Sequence, residues 1–300
     1  MINRTPYSLI LWSLTILFAL SRTAIAVPVN SLPEEIKVPF ELKGGLIFIK
    51  VQVNNKPANF ILDTGAPTLV ISKRLATNAT HTLDGKGVTG NIQVQQVVVP
   101  KLVLGDMQLS ETPAIAMDLA HLEKLTKKQI DGLIGYSTLK DYELLLDYGS
   151  KTLTLFRANA TDYHTHIKPT SEMPFKLQAH IPVVEATIGN QKMLFGLDTG
   201  AEANLLNIGS ISKLNSNDYK KSNVRNISGA NATAVAAQEA YVKATLINGH
   251  TYSNMQYVFS DISPLNQGYG LSIDGLLGYP FLSARKMSIN FADSKVYFWD

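Results

Sequence analysis

ILDTGAPTLVIS, from Ile61 to Ser72, drives an aspartate off the end of an apolar run and bends the chain around it at once. FGLDTGAEANLL, from Phe195 to Leu206, repeats the pattern, with Asp198 lying 135 positions after Asp63. A carboxylate that follows a buried strand carries a desolvation penalty unless hydrogen bonds or a shared proton relieve it. Glycine just downstream lets the backbone turn tightly and brings amide N–H groups close to the carboxylate. The threonine between them can send its hydroxyl to neighbouring backbone and fix the loop. One such loop is a minor feature, and Asp-Gly neighbourhoods are common in structural turns. Two on related lobes can face each other across a pseudo-twofold axis, with both carboxylates within reach of one water molecule.

The repeat extends well beyond the two loops. At an offset of 135, Pro39-Phe40 meets Pro174-Phe175, each Phe lying 23 residues before its Asp. Asn54-Asn55 meets Gly189-Asn190, both two-residue turn signals between apolar runs. Downstream, IDGLIGYSTL (Ile130 to Leu139) matches IDGLLGYPFL (Ile273 to Leu282), now at an offset of 143. Each half closes on an alternating strand, LLLDYGSKTLTLF (Leu144 to Phe156) and MSINFADSKVYFW (Met287 to Trp299). A period this long is a domain duplication rather than a solenoid repeat. The pattern is mostly β: Ile49 to Val53 alternates, as does Val94 to Val99 more loosely. Two helices are expected, Leu119 to Gln129 behind an Asp118 cap and a short turn near Ser137 to Tyr142. The fold class expected is therefore mainly β, with two pseudo-twofold-related lobes and a cleft between them.

Composition sets the outer limits. The 300 residues, 45% of them apolar, describe an ordinary globular chain with material for sizeable cores. The absence of cysteine excludes disulfides, zinc–thiolate sites and a cysteine nucleophile. Arg4, an apolar run from Ser8 to Leu20 and the small-x-small triplet Ala24-Ile25-Ala26 fit an export signal at residues 1–26. That run is 13 residues, short for a bilayer span of roughly twenty. Cleavage there leaves 25 basic against 24 acidic side chains, a balance that favours neither nucleic acid nor an anionic membrane as partner. The expectation is an exported protein, periplasmic or secreted. A first lobe would span residues 27–157, a polar linker 158–172 and a second lobe 173–300.

Two adjacent carboxylates do not both ionise readily, so they share one proton and titrate as a pair. The ionised member can take a proton from a water attacking a carbonyl while the protonated member hydrogen-bonds the carbonyl oxygen.

At this point the chain resembles the retropepsin and pepsin superfamily of aspartic proteases, and most closely the bacterial type with two retropepsin-like lobes in one chain. The residues carrying the resemblance are the two Asp-Thr-Gly-Ala loops and the downstream Leu133-Ile134-Gly135 and Leu276-Leu277-Gly278. It implies two β-barrel lobes with the active site in the cleft, and a metal-free, cofactor-free endopeptidase acting as a monomer on peptide or protein substrates. By that resemblance Asp63 and Asp198 form the catalytic pair. Thr64 and Thr199 lock the loops together, and Gly65 and Gly200 supply the turn and an amide for each carboxylate. Ala66 and Ala201 follow the retroviral pattern where pepsins usually carry a hydroxyl. Without that hydroxyl the pair should be less acidic, so activity is expected at mildly acidic to near-neutral pH. DGKGVTGN (Asp84 to Asn91) is expected as the substrate-binding flap through Gly85, Gly87 and Gly90, with NISGANAT (Asn226 to Thr233) as a weaker counterpart.

Other readings carry less. The spacing Gly85-x-Gly87-x-x-Gly90 fits a dinucleotide loop in letters, but no strand-to-helix unit surrounds it. His164 and His166 are read as a solvated linker pair, since no third metal ligand is evident. LEKLTKKQ (Leu122 to Gln129) is read as the wet face of a helix. No tyrosine occurs between Asp63 and Gly135, a departure from the pepsin flap. The rival function is a catalytically silent peptide-binding protein on the same scaffold, and a second variant pairs each lobe with another molecule.

Overall fold

In the computed structural model of the protein, residues 34–77, 79, 81–87, 90–157, 162–228 and 234–300 are described. The export signal expected at residues 1–26 lies outside them. Among the described residues no helix is long and apolar enough to cross a membrane.

The first half opens with β1 (Glu35–Lys43), β2 (Leu46–Val53) and β3 (Lys56–Leu62), a meander leading into the Asp63 loop. The Asn54-Asn55 signal makes its two-residue hairpin, with φ of 52° and 64°, the left-handed region that asparagine tolerates. β4 (Leu69–Ser72) leaves the loop, and then come β5 (Thr82–Gly87), β6 (Gly90–Leu104) and β7 (Met107–Met117). α1 (Ala120–Thr126), β8 (Gly132–Ile134), α2 (Tyr136–Leu139), β9 (Tyr142–Asp147) and β10 (Thr152–Arg157) complete it. α1 is shorter than the expected Leu119 to Gln129, because Lys127 turns left-handed and ends it. Asp118 does serve its start, accepting the Ala120 N–H at 2.9 Å.

The second half begins with α3 (Asp162–His166), inside the stretch expected as linker, and β11 (Ser171–Pro174), which starts within that stretch and runs past its end. It continues with β12 (Lys176–Gln178), β13 (Ile181–Ile188), β14 (Gln191–Leu197), β15 (Asn204–Asn207) and α4 (Ile208–Ile211). After β16 (Tyr219–Ser228), β17 (Ala234–Ile247) and β18 (His250–Ser260) come α5 (Ser263–Tyr269), β19 (Gly275–Leu277) and α6 (Tyr279–Leu282). β20 (Lys286–Asn290) and β21 (Lys295–Trp299) close the chain. His164 is not solvated as expected. Its Nε2 lies 2.8 Å from Glu143 Oε1, with its ring edge-on to Tyr297, because α3 lies against the ends of β9 and β21.

The architecture is mainly β, with two sheet-rich halves. β11, β21, β20, β9, β10 and β1 lie side by side, so strands of both halves share one platform. Each half bends off that platform at its Pro-Phe pair. The N-terminal part of β1 pairs with β10 and the remainder with β2; the corresponding β11 pairs with β21 and β12 with β13. The Phe40 and Phe175 N–H groups donate at 2.9 Å to Lys151 and Ser294 carbonyls, which are themselves equivalent in the duplication. The largest apolar cluster, including Ile47, Phe60, Phe195 and Tyr257, runs through both halves and draws them into one unit.

The site is positioned by one topological device used twice. β8 inserts between β3, to which it is parallel, and β4, to which it is antiparallel. β19 does the same between β14 and β15. Close approach makes glycine necessary at Gly132 and Gly275. A Cβ at either would run into the carbonyl oxygen of Val70 or Leu205 and into the Phe60 or Phe195 ring. Gly275→Ala is expected to cost about 2 kcal/mol or more, read as a lowered denaturant midpoint with unchanged slope; an unchanged midpoint would contradict the crowding argument.

The aspartate before each of these glycines pins the insert in place. Asp131 N–H donates to Asn59 O at 2.8 Å, and its Oδ2 accepts the Asn59 N–H at 2.8 Å. Its Oδ1 accepts from Arg74 and Gln129, each at 2.8 Å. Asp274 repeats the pattern with Leu194, Ser210 and Lys213. Burial pulls both carboxyls up, but Arg74 and the Asn59 amide at one, and Ser210 and the Leu194 amide at the other, outweigh it and hold both below the usual range. Folded values lower than unfolded ones mean stability that is present above about pH 4 and lost as pH falls through the folded values. Acid titration by circular dichroism should therefore show unfolding that Asp131→Asn and Asp274→Asn shift less steeply with pH; identical acid limbs would contradict this.

Candidate active site

Both motif loops arrive at the same place. Asp63 N–H donates to Ile134 O at 3.0 Å, and Asp198 N–H to Leu277 O at 3.1 Å, so each aspartate is hung from its inserted strand. Behind the loops, Tyr136 and Tyr279 N–H groups donate to Ala66 and Ala201 carbonyls at 2.8 and 2.9 Å.

The threonines join the lobes. Thr64 N–H donates to Thr199 Oγ1, and Thr199 N–H to Thr64 Oγ1, both at 3.0 Å. Each hydroxyl then donates onward across the divide, Thr64 Oγ1 to Leu197 O at 3.2 Å and Thr199 Oγ1 to Leu62 O at 2.9 Å. Both threonines are buried. A hydroxyl that accepts one N–H and donates to one carbonyl satisfies four backbone groups per pair, which is why threonine suits the position.

That lock sets the carboxylates side by side. Each glycine packs on the opposite aspartate: a Cβ at Gly65 would stand 2.7 Å from Asp198 Cγ, and one at Gly200 2.5 Å from Asp63 Cγ. Gly65 and Ala66 N–H groups both donate to Asp63 Oδ1 at 3.0 Å. Asp198 Oδ1 receives the Gly200 N–H at 2.8 Å. The two carboxyl groups lie within hydrogen-bonding reach of each other, half-buried and lining the cleft. Burial, the Asp198 charge and the hydrogen bond to it push Asp63 well above the carboxylate range, against the pull of the Gly65 and Ala66 amides. Burial also raises Asp198, with the Gly200 amide opposing. A hydrogen-bonded pair whose members both resist ionisation holds one proton between them.

Above the pair lies a cavity of about 500 Å³. Leu46, Met117, Leu122 and Leu125 form part of its first-lobe wall, and Ile181, Leu265 and Tyr269 part of its second-lobe wall. Leu122 and Leu125 correct the reading of LEKLTKKQ as merely a wet face. One side of α1 is cleft wall, held by Glu123, which accepts from Arg74 at 3.0 Å and from the Ile130 N–H at 2.8 Å. Arg225, paired with Glu202 and Glu239, gives the second-lobe rim a charged cluster that sequence comparison did not single out. Gly85, Gly87 and Gly90 fall in the β5–β6 hairpin, Gly85 opposite Ile92 and Gly87 opposite Gly90. β5 lies against α5 of the other lobe, whose Leu265 and Tyr269 line the cavity. The counterpart hairpin, β16–β17, brings Asn226 and Ile227 to the same cavity. Its tip, residues 229–233, lies outside the described residues. Among the described residues, no group of three or more His, Cys, Asp or Glu side chains is placed to hold a metal ion.

Paired Asp-Thr-Gly loops, each carried by an inserted strand and locked across a pseudo-twofold axis, define a two-lobed, retropepsin-like scaffold. A family model described as aspartyl protease matches the chain twice, over residues 49–138 and 184–281. The chain belongs to the aspartyl protease family. Among curated proteins, none matches it.

Proposed function

We propose that the protein is an aspartic endopeptidase in which Asp63 and Asp198 activate a water molecule against a peptide carbonyl. The observation that carries this reading is the facing carboxyl pair, each packed against the opposite motif glycine and held by the amides of its own loop. The ionised carboxylate takes a proton as the water oxygen bonds to the carbonyl carbon, and the protonated carboxyl hydrogen-bonds the carbonyl oxygen. The protonated carboxyl passes its proton to that oxygen, giving a tetrahedral diol. As the C–N bond breaks, the proton taken from water passes to the nitrogen and one diol hydroxyl returns its proton to the other carboxylate. An acid and an amine leave, and the pair again holds one proton. Backbone amides of Gly65, Ala66 and Gly200 hold the carboxylates in position throughout, so little reorganisation accompanies the charge movement.

The substrate is an extended polypeptide lying between the lobes, its apolar side chains against the leucine-rich walls and its backbone under the β5–β6 hairpin. Within that role Gly85, Gly87 and Gly90 let the hairpin bend over the substrate. The raised carboxyls favour work at mildly acidic to near-neutral pH, and the N-terminal 26 residues direct export to the periplasm or exterior. The mature protein acts as a monomer, since both aspartates come from one chain.

The test is digestion of denatured casein from pH 3 to 8. Wild type is expected to cleave with a maximum between about pH 4.5 and 7, and a profile peaking near pH 2 contradicts the absence of a supporting hydroxyl at Ala66 and Ala201. Binding of unfolded casein without cleavage at any pH would favour the peptide-binding alternative instead.

A further inference from the structure

The duplication makes the two aspartates near equivalents, yet one residue breaks the symmetry beside them. The hairpin between β1 and β2 turns through Gly44-Gly45, with φ of 60° and 82°. The hairpin between β12 and β13 turns through Ala179-His180, at the same 135-residue offset. His180 therefore occupies the position of Gly45. It is 5% exposed, and its Nε2 lies 2.7 Å from the carbonyl oxygen of Gly65, in the opposite lobe. A carbonyl only accepts, so Nε2 carries the hydrogen and donates.

That carbonyl belongs to the peptide unit whose N–H, on Ala66, donates to Asp63 Oδ1 at 3.0 Å. A donor on the oxygen polarises the unit and strengthens its N–H as a donor at the other end. The ring itself is fixed by Tyr269 of α5, edge-on at 5.0 Å, and by Tyr136 of α2 at 6.5 Å. No side chain at Gly45 can do the same for the Asp198 loop; a Cβ there already stands 3.1 Å from Glu202 O and from the Tyr279 ring.

We propose that His180 is a positioning residue that holds the Gly65–Ala66 peptide onto Asp63, so that the singly ionised carboxyl pair is favoured and its two members are no longer interchangeable. This deepens the endopeptidase reading and rests on it for its catalytic meaning. The titratable groups facing the imidazole are Tyr136 and Tyr269, and beyond Gly65 the Asp63–Asp198 pair. Burial pulls His180 below the ordinary histidine value against the Gly65 hydrogen bond, and Nε2 carries the donated hydrogen whether the ring is neutral or protonated.

His180→Phe keeps the ring packing and deletes the donor; His180→Gln keeps a donor near the Nε2 position. In His180→Phe the acid limb of kcat/KM should rise by about half a pH unit. kcat should fall about tenfold with KM changed less than about twofold, and His180→Gln should restore both. The same upward shift should appear in the pair's carboxyl 13C titration, which reads the site without turnover, with melting curves confirming that each variant is folded. If the wild type cleaves nothing yet the 13C titration shifts in His180→Phe alone, this inference stands and the endopeptidase reading falls. If Asp63→Asn is inactive but His180→Phe keeps the wild-type limb and titration, or His180→Gln shifts equally, this inference is overturned and the endopeptidase reading remains.

Discussion

Asp63→Asn is expected to lower peptide hydrolysis by about 10³-fold or more, with Asp198→Asn doing the same and the double variant losing little further. Asparagine keeps the shape and the hydrogen bonds from the Gly65 and Ala66 amides but cannot take up a proton from water. Because the two carboxyls share one proton, removing either disables both roles at once, and groups acting as a unit are not additive. Stability should move the other way. Both carboxyls are raised in the folded protein, so the unfolded chain ionises first, and stability falls as pH rises from the unfolded value through the folded ones. Asp63→Asn should therefore melt above wild type at pH 7, the gap closing below about pH 4. Initial rates on a fluorogenic peptide and melting curves at both pH values check the two halves separately. Undiminished rates in either single variant would remove the pair from the chemistry.

The second large effect concerns the lock between the lobes. Thr64→Val keeps the volume of the side chain and deletes its hydroxyl, leaving the Thr199 N–H and the Leu197 carbonyl without partners in a buried site. Each orphaned group costs about 1–3 kcal/mol, so a loss of about 3 kcal/mol is expected, a large share of a typical 5–15 kcal/mol total. Thr199→Val should match it through Thr64 N–H and Leu62 O. Activity should fall about tenfold beyond what unfolding explains, because the carboxyls lose their mutual alignment. Thr64→Ser, which retains the hydroxyl, should behave nearly as wild type. Equal denaturation midpoints for Thr64→Val and wild type would show that the exchange between the threonines contributes nothing.

The duplication was legible in the sequence because its strongest marks are local. A two-residue turn at Asn54-Asn55, a bend at Pro39-Phe40 and an Asp-Thr-Gly loop are each decided by neighbouring residues, so each could be matched to its copy. The pairing of Asp63 with Asp198 followed from that match. What was not legible depends on distant neighbours. Nothing in LEKLTKKQ reveals that Leu122 and Leu125 face a cleft, since that requires the other lobe. His164 reads as a polar linker residue until β9 and β21 supply Glu143 and Tyr297. His180 has a signal, the replacement of a turn glycine at an otherwise matched offset, but its meaning needs Gly65 from 115 positions away. The aspartates of the two Ile-Asp-Gly stretches also matched without explanation. Their role appears only once Asn59 and Leu194 come alongside.

The central claim is that the two halves bring Asp63 and Asp198 to share a single proton. Carboxyl 13C titration of aspartate-labelled protein, with Asp63→Asn and Asp198→Asn for assignment, measures this directly. The account predicts two separated ionisations, the first above the ordinary aspartate value and the second held well above it. Independent titration of both near pH 4 would contradict it.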